Sequence, residues 1–116
     1  MNFPDSASLL QNAQENFLYD KLVFQIRKDF GLANIHIDIP DSVMPNTLIG
    51  SLREKIYFLI MERFPEYLNL LYVIDVPERE FKKIQVTDVV EVAEQVSFLV
   101  LVREMQKVWF KKKYSG

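Results

Sequence analysis

The residue types that carry most enzyme chemistry are scarce in this chain of 116 residues. It contains no cysteine and a single histidine, His36, so a thiolate nucleophile, a Ser-His-Asp triad and a zinc site with paired histidines are not expected. Its three glycines are too few and too scattered for a phosphate-binding loop or a dinucleotide-binding motif. His36 lies on the polar side of an alternating segment, where a solvent-facing side chain is expected. The sequence therefore predicts no catalytic residue and no cofactor.

Carboxylates are the remaining groups that could bind a metal or act on a substrate. Glu91 and Glu94 share one face if their segment is helical, but Asp88 and Glu91 are better explained as groups that stabilise a helix N-terminus. Di-iron bundles use Glu-x-x-His pairs, which this chain lacks. Asp75 lies within an apolar run and is predicted to cap a helix that begins at Pro77. We therefore predict no metal site and a non-enzymatic protein.

The C-terminal stretch mixes lysines with aromatic residues, as single-strand nucleic-acid binders and membrane-surface helices do. It comprises Lys107, Val108, Trp109, Phe110, Lys111, Lys112, Lys113 and Tyr114. In the structural alternative, the lysines complement the dipole of a helix end while Trp109 packs on the core. The net charge of -2 and the isoelectric point near 5.4 count against a general nucleic-acid binder. Contact with nucleic acid or an anionic membrane surface is therefore the second of two functions that the sequence supports.

Apolar residues just before that stretch point in every direction around a helix axis. The run from Phe98 to Val102 is uninterrupted, so one buried face does not account for it. Either this helix is the centre of a bundle, or a second copy of the chain covers one side of it. The candidate interaction surface comprises Phe98, Leu101, Val102, Trp109, Lys111, Lys112 and Lys113. The first function that the sequence supports is a non-enzymatic helical protein–protein interaction module that self-associates as a homodimer and has an unidentified protein partner.

Five segments carry the apolar spacing of helices, namely residues 15–31, 45–65, 67–76, 77–84 and 88–112. Gly31 is predicted as a helix C-cap, because glycine readily takes a positive φ. Pro45 fits the first turn of a helix, whereas Pro65 is predicted to end or bend one. Asp88 followed by Glu91 resembles a capping box and opens the last helix. These segments predict an all-α bundle of four to five helices.

Two segments favour strands instead. Residues 34–40 alternate isoleucines with polar residues, so one short strand-like segment is predicted near residues 35–39. The stretch 86–102 is rich in valine, which prefers sheets, and an α+β fold is the alternative on that ground. We favour a helix for this stretch because its apolar residues keep helical spacing and no turn signal interrupts them.

Length and composition predict one domain. With a mass of 13.7 kDa and 49% apolar residues, the chain is large enough for a single core. Residues 1–14 are rich in Ser, Asn and Gln and are predicted to be a mobile segment, which leaves residues 15–114 as one helical domain. The N-terminal residues lack the pattern of a secretory signal, and the longest apolar stretches are too short to cross a bilayer. A cytoplasmic location is predicted.

Two stretches resemble parts of short, uncharacterised bacterial proteins of similar length. They are YLNLLYVIDVPERE, at Tyr67–Glu80, and AEQVSFLVLVREMQKVWF, at Ala93–Phe110. The resemblance implies a protein of the bacterial cytosol, and it carries no activity, cofactor or site residue. The functional predictions therefore depend on the residues of this chain alone.

Overall fold

Six helices make up most of the chain that the computed structural model describes, which is residues 2–85 and 87–114. In chain order they are α1 (Ser6–Glu15), α2 (Tyr19–Leu32), α3 (Pro45–Glu62), α4 (Phe64–Ile74), α5 (Glu78–Lys82) and α6 (Val89–Tyr114). No strand occurs within these described ranges. The predicted all-α fold is confirmed and the α+β alternative is wrong. The helix that the sequence did not predict is α1.

Helix α1 occupies most of the segment that was predicted to be mobile. The Asp5 carboxylate caps it by accepting a hydrogen bond of 2.8 Å from the backbone N–H of Ser8. Leu9, Leu10 and Ala13 are fully buried in the common core. A segment with three fully buried side chains belongs to the domain, so the predicted boundary at residue 15 is corrected. Met1 lies outside the described residues.

The next helix is shorter at its start than predicted. Phe17 takes a left-handed conformation, with φ at 57°, which separates α1 from α2. At the other end α2 continues through Gly31 to Leu32, and the left-handed residue is Asn34, with φ at 59°. Asn tolerates this conformation better than most residues that carry a Cβ. The predicted C-cap at Gly31 is therefore wrong by a few residues.

The alternating segment 35–39 is extended but pairs with no strand within the described residues. Ile35 and Ile39 are buried in the core, whereas His36 is exposed. The guanidinium of Arg27 donates a hydrogen bond of 3.0 Å to the carbonyl oxygen of Ile39. The alternation of isoleucines with polar residues therefore arises because an extended linker buries one of its two sides. The predicted strand is wrong.

The two proline-marked junctions differ in their agreement with the prediction. Helix α3 begins at Pro45 as predicted and ends just before Arg63, and Pro65 falls in the first turn of α4 rather than at the end of a helix.

Asp75 was predicted to cap the following helix. It instead closes α4 in a left-handed conformation, with φ at 70°, and its carboxylate lies 3.0 Å from the guanidinium of Arg103.

Helix α6 passes through the bundle and packs against each of the other five helices. Asp88 caps it by accepting a hydrogen bond of 3.0 Å from the N–H of Val90. The valine-rich stretch is helical from Val89 onward, and Val86 lies outside the described residues. Leu101 is fully buried, because the other helices surround this part of α6. Within the described ranges, no helix has the length and apolar character needed to span a membrane.

The burial of α1 predicts the effect of a substitution there. Leu9→Ala should lower the free energy of unfolding by about 2–5 kcal/mol, because it leaves a cavity in the core. Gln14→Ala, at an exposed position of the same helix, is the matched control and should change it by no more than about 0.5 kcal/mol. Urea unfolding followed by circular dichroism gives both values. Equal and small effects of the two substitutions would mean that α1 does not pack on the core.

Candidate functional site

Some residues of the predicted interaction surface lie in the core, and others are exposed to solvent. Leu101 is inside the bundle, with 0% of its surface exposed, so it is not part of any surface of the folded chain. Phe98 and Val102 are partly buried and pack against the core. Trp109 is 39% exposed and precedes the three lysines, all of which are exposed. The seven residues do not form one continuous face.

The lysines at the end of α6 have contacts within the chain. The ammonium group of Lys111 donates a hydrogen bond of 2.6 Å to the side-chain oxygen of Gln25. The ammonium group of Lys112 lies 6.0 Å from the ring centre of Trp109, and that of Lys113 lies 5.8 Å from the ring centre of Tyr114. These contacts fit the structural alternative, in which the lysines stabilise the helix end.

A buried pair of carboxyl groups between α2 and α6 was missed by the sequence analysis. Glu104 of α6 is 0% exposed and Asp29 of α2 is 3% exposed. The ammonium group of Lys107 lies 2.6 Å from Asp29 Oδ2 and 3.3 Å from Glu104 Oε1. Gln25 donates a hydrogen bond of 3.1 Å to Asp29 Oδ1. Together with Lys111, which binds Gln25, these residues form the α2–α6 polar cluster.

The two carboxyl groups of this cluster have pKa values shifted in opposite directions. Burial, with the hydrogen bond and the negative charge of Asp29, raises the pKa of Glu104 to about 9 against the opposing effect of Lys107. Burial also acts to raise the pKa of Asp29, but hydrogen bonds from Glu104, Lys107 and Gln25 outweigh it and lower that pKa. Glu104 is therefore a neutral acid at neutral pH, and Asp29 is a carboxylate.

The hydrogen bonding of Glu104 agrees with this protonation state. Neither of its carboxyl oxygens accepts a hydrogen bond from a described donor, and the ammonium group of Lys107 is directed at Asp29. An ionised carboxylate in that position would be buried without a hydrogen-bond donor, at a cost of several kcal/mol. As a neutral acid, Glu104 donates its proton to Asp29. Glu104 is shielded from solvent, and the ion pair of Lys107 with Asp29 links α6 to α2.

The periodicity of both helices contained the signal for this cluster. Position 104 follows Ala93, Ser97 and Val100 at the three- and four-residue spacing of the buried stripe of α6. Asp29 lies on the buried stripe of α2, four residues after Gln25 and three after Ile26. A carboxylate at a stripe position predicts a buried and perturbed acid. This inference needs only the helix period.

An exposed apolar surface lies on α4 and at the end of α3. It is called the α4 face and comprises Phe58, Met61, Phe64, Leu68 and Tyr72. Three of these residues, Phe64, Leu68 and Tyr72, follow each other at one-turn spacing along a single side of α4. Tyr72 is 84% exposed. Exposed apolar side chains in a regular row of this kind mark sites of interaction in many proteins.

No protein-family model, no curated protein and no solved structure matches this chain. The resemblance of residues 67–80 and 93–110 to short bacterial proteins therefore stays a prediction. In the structure these two stretches fold as α4 with the first part of α5, and as most of α6. The function is argued below from the side chains that the fold places at the surface.

The raised pKa of Glu104 predicts a loss of stability with rising pH. The unfolded chain releases this proton near pH 4.5, whereas the folded chain holds it up to about pH 9. Between these values the folded state binds more protons, so the free energy of unfolding should fall by up to about 1.4 kcal/mol per pH unit. In Glu104→Gln this component is absent, because the amide still donates to Asp29 but does not titrate. Urea unfolding at a series of pH values compares the two proteins.

The variant Glu104→Gln should exceed the wild type in stability most at about pH 8 and least at about pH 5. Glu94→Gln is the control, because Glu94 is an exposed acid on the same helix. It should leave the pH dependence of the wild type unchanged. If Glu104→Gln retained that dependence as well, Glu104 would not be the group that titrates.

Removal of the cation from the cluster should destabilise the fold strongly. Lys107→Met leaves the Asp29 carboxylate buried without a cation, which should lower the free energy of unfolding by about 3–5 kcal/mol. Lys113→Met, at an exposed position, should change it by no more than about 0.5 kcal/mol. The double variant Asp29→Asn with Lys107→Met should recover part of the loss, and a double-mutant cycle measures the coupling. Additive effects would contradict a direct pair.

Proposed function

We propose that this chain is a non-enzymatic helical protein–protein interaction module that self-associates as a homodimer through the α4 face. The proposal depends on one observation, the row of Phe64, Leu68 and Tyr72 exposed at one-turn spacing. Water contact with such side chains is unfavourable, and a second apolar surface relieves it. The interaction surface predicted on α6 is accordingly moved to α4, because Leu101 is buried. The cytoplasmic location and the bacterial source stay predictions of the sequence.

A second copy of the chain fits the α4 face because the row is symmetric about Leu68. Phe64 precedes Leu68 by one turn of helix and Tyr72 follows it by one turn. When two antiparallel α4 helices meet across a two-fold axis at Leu68, each Leu68 contacts its own copy. In the same arrangement Phe64 of one chain meets Tyr72 of the other, and aromatic pairs of this kind are favourable.

The size of the α4 face supports an interface of modest area. Phe58, Phe64 and Tyr72 are 45%, 50% and 84% exposed. If about 200 Å² is taken for each complete aromatic side chain, these three expose roughly 350 Å² per copy. Met61 and Leu68 add to this area. A standard interface uses about 800 Å² per partner, so polar residues around the face would supply the remaining part as a rim.

Introducing a charge at the centre of the row tests the proposal. Sedimentation equilibrium of the wild type at micromolar concentration should give about twice 13.7 kDa. Leu68→Glu should give a monomer with unchanged circular dichroism, because Leu68 is exposed and Glu is a good helix former. Met44→Glu is the matched control, since Met44 is also exposed but lies at the opposite end of α3 from Met61. A wild type that stays monomeric would contradict self-association, and equal dissociation of both variants would contradict the α4 face.

A cross-linking experiment tests the two-fold axis. The chain has no cysteine, so Leu68→Cys introduces its only thiol. A disulfide requires the two Cβ atoms to lie within about 3.5–4.5 Å, which a two-fold axis at this residue permits. Leu68→Cys should oxidise readily to a covalent dimer, and Met44→Cys should not. Both yields are read from a non-reducing gel. A dimer in solution that cross-links no better at position 68 than at position 44 would contradict this geometry.

A further inference from the structure

The fold brings two elements of the sequence together beside the basic end of α6. An open cavity of about 410 Å³ lies between α2 and α6. Lys21 and Phe24 of α2 line it from one side, and Val108, Lys111 and Lys112 of α6 line it from the other. Cavities of about 300–1,000 Å³ are typical of sites for small ligands or single chemical groups. The C-terminal lysines therefore border a concave site to which α2 contributes a lysine and an aromatic ring.

The charge of this cavity favours an anion. Three lysines line it, whereas Asp20 is its only acidic residue. No ammonium group of Lys21, Lys111 or Lys112 lies within 4.0 Å of a carboxylate in the described ranges. The positive charges of three lysines that line one cavity repel each other, so a bound anion would reduce this repulsion. The residues that line the cavity therefore carry a positive net charge, whereas the chain as a whole carries a net charge of -2.

The dipole of α6 does not account for all three lysines. Lys111 and Lys112 lie in the last turn of α6, where cations are favourable. Lys21 lies in the first turns of α2, near the positive end of that helix dipole, where a cation is unfavourable. Its position beside the other two lysines thus has no explanation in helix stability. A ligand that contacts both helices provides one.

The apolar part of the cavity favours an anion that carries a flat ring. Phe24 is 62% exposed, whereas its neighbours Leu22, Val23 and Ile26 on the same helix are buried. An exposed aromatic ring beside ammonium groups is the arrangement that binds single strands, because the ring stacks on a base while the cations bind phosphates. The concave shape suits an extended base better than the flat surface of a bilayer. Trp109, which contacts Lys112, lies next to the site.

We propose that the cavity between α2 and α6 binds a single strand of nucleic acid. One base stacks on Phe24, and the phosphates on either side of it contact Lys21, Lys111 and Lys112. This site shares no residue with the α4 face, so it stands or falls independently of self-association. Nucleic-acid binding would give the basic aromatic stretch at the end of α6 a function, whereas self-association through the α4 face does not involve that stretch.

Salt dependence of binding provides the first test. The probe is a fluorescein-labelled oligothymidylate of about 12 nucleotides, titrated by fluorescence anisotropy from about 20 to 200 mM salt. Three phosphate contacts predict a slope of log K against log salt of about -2, since each contact on a single strand contributes about -0.7. Lys21→Gln and Lys112→Gln should each reduce this slope by about 0.7. Lys55→Gln is the control, because Lys55 also lies beside an aromatic ring but on α3. It should leave the slope unchanged.

Stacking on Phe24 has a different signature. Phe24→Ala should weaken binding roughly 5- to 150-fold at every salt concentration without changing the slope, because the ring carries no charge. Tyr57→Ala is the control at an exposed aromatic residue of α3, and it should bind as the wild type does. Trp109 is the only tryptophan of the chain. Its fluorescence should change on binding, because Lys112 leaves its ring to contact a phosphate.

Several results would overturn the proposal. These are an absence of oligonucleotide binding at the lowest salt, equal binding by the wild type and the lysine variants, and equal loss in Phe24→Ala and Tyr57→Ala. Lysine-dependent binding to vesicles of phosphatidylserine and phosphatidylcholine, with no oligonucleotide binding, would identify a membrane contact instead. Binding of free thymidine monophosphate that the oligonucleotide cannot displace would identify a mononucleotide site instead. Leu68→Glu should bind the oligonucleotide as the wild type does, so that failure of the dimer and failure of this site are distinguishable.

Discussion

The burial of the middle of α6, residues 95–108, is the constraint on which the described structure depends. Each of the other five helices packs against it, and its apolar residues face several directions around the axis. The apolar run from Phe98 to Val102 is therefore accommodated within one chain, without a second copy to cover it. The burial of this part of α6 also determines which apolar side chains are exposed. Because the middle of α6 is covered by its own bundle, the exposed apolar side chains lie at the two ends of α6 and elsewhere in the chain, and α4 carries a regular row of them.

The α2–α6 polar cluster is the one place where this apolar packing is interrupted by charge. Burying Asp29 and Glu104 together is tolerated because a proton neutralises one carboxyl group and Lys107 compensates the other. Such a network contributes little net stability compared with apolar side chains of similar volume. It does restrict how α2 slides along α6, since a shift of one turn would separate Asp29 from Lys107. The same register places Gln25 beside Lys111 and so shapes the cavity at the end of the two helices.

Much of the fold was predictable from helical periodicity, whereas the candidate sites were predictable only in part. The periodicity located α2 to α6, but α1 was missed because Ser, Asn and Gln surround its few apolar residues, Leu9, Leu10 and Ala13. The α4 face was not predictable, because a dense apolar run does not reveal which side of a short helix is covered. The stripe positions of Asp29 and Glu104 were readable. The contact of α2 with the C-terminal lysines was not, because it depends on tertiary packing between residues far apart in sequence.

The position of α6 at the end of the described chain has a consequence for biosynthesis. Its 26 residues are made after the five preceding helices, yet they supply the surface on which those helices pack. While the ribosome is still translating them, the earlier helices have no partner for their apolar stripes. Contacts between α1 and α6 span almost the whole described chain, and such distant contacts form slowly. We therefore expect this domain to fold only after α6 has been synthesised, so that the nascent chain exposes apolar stripes of the kind that chaperones bind until then.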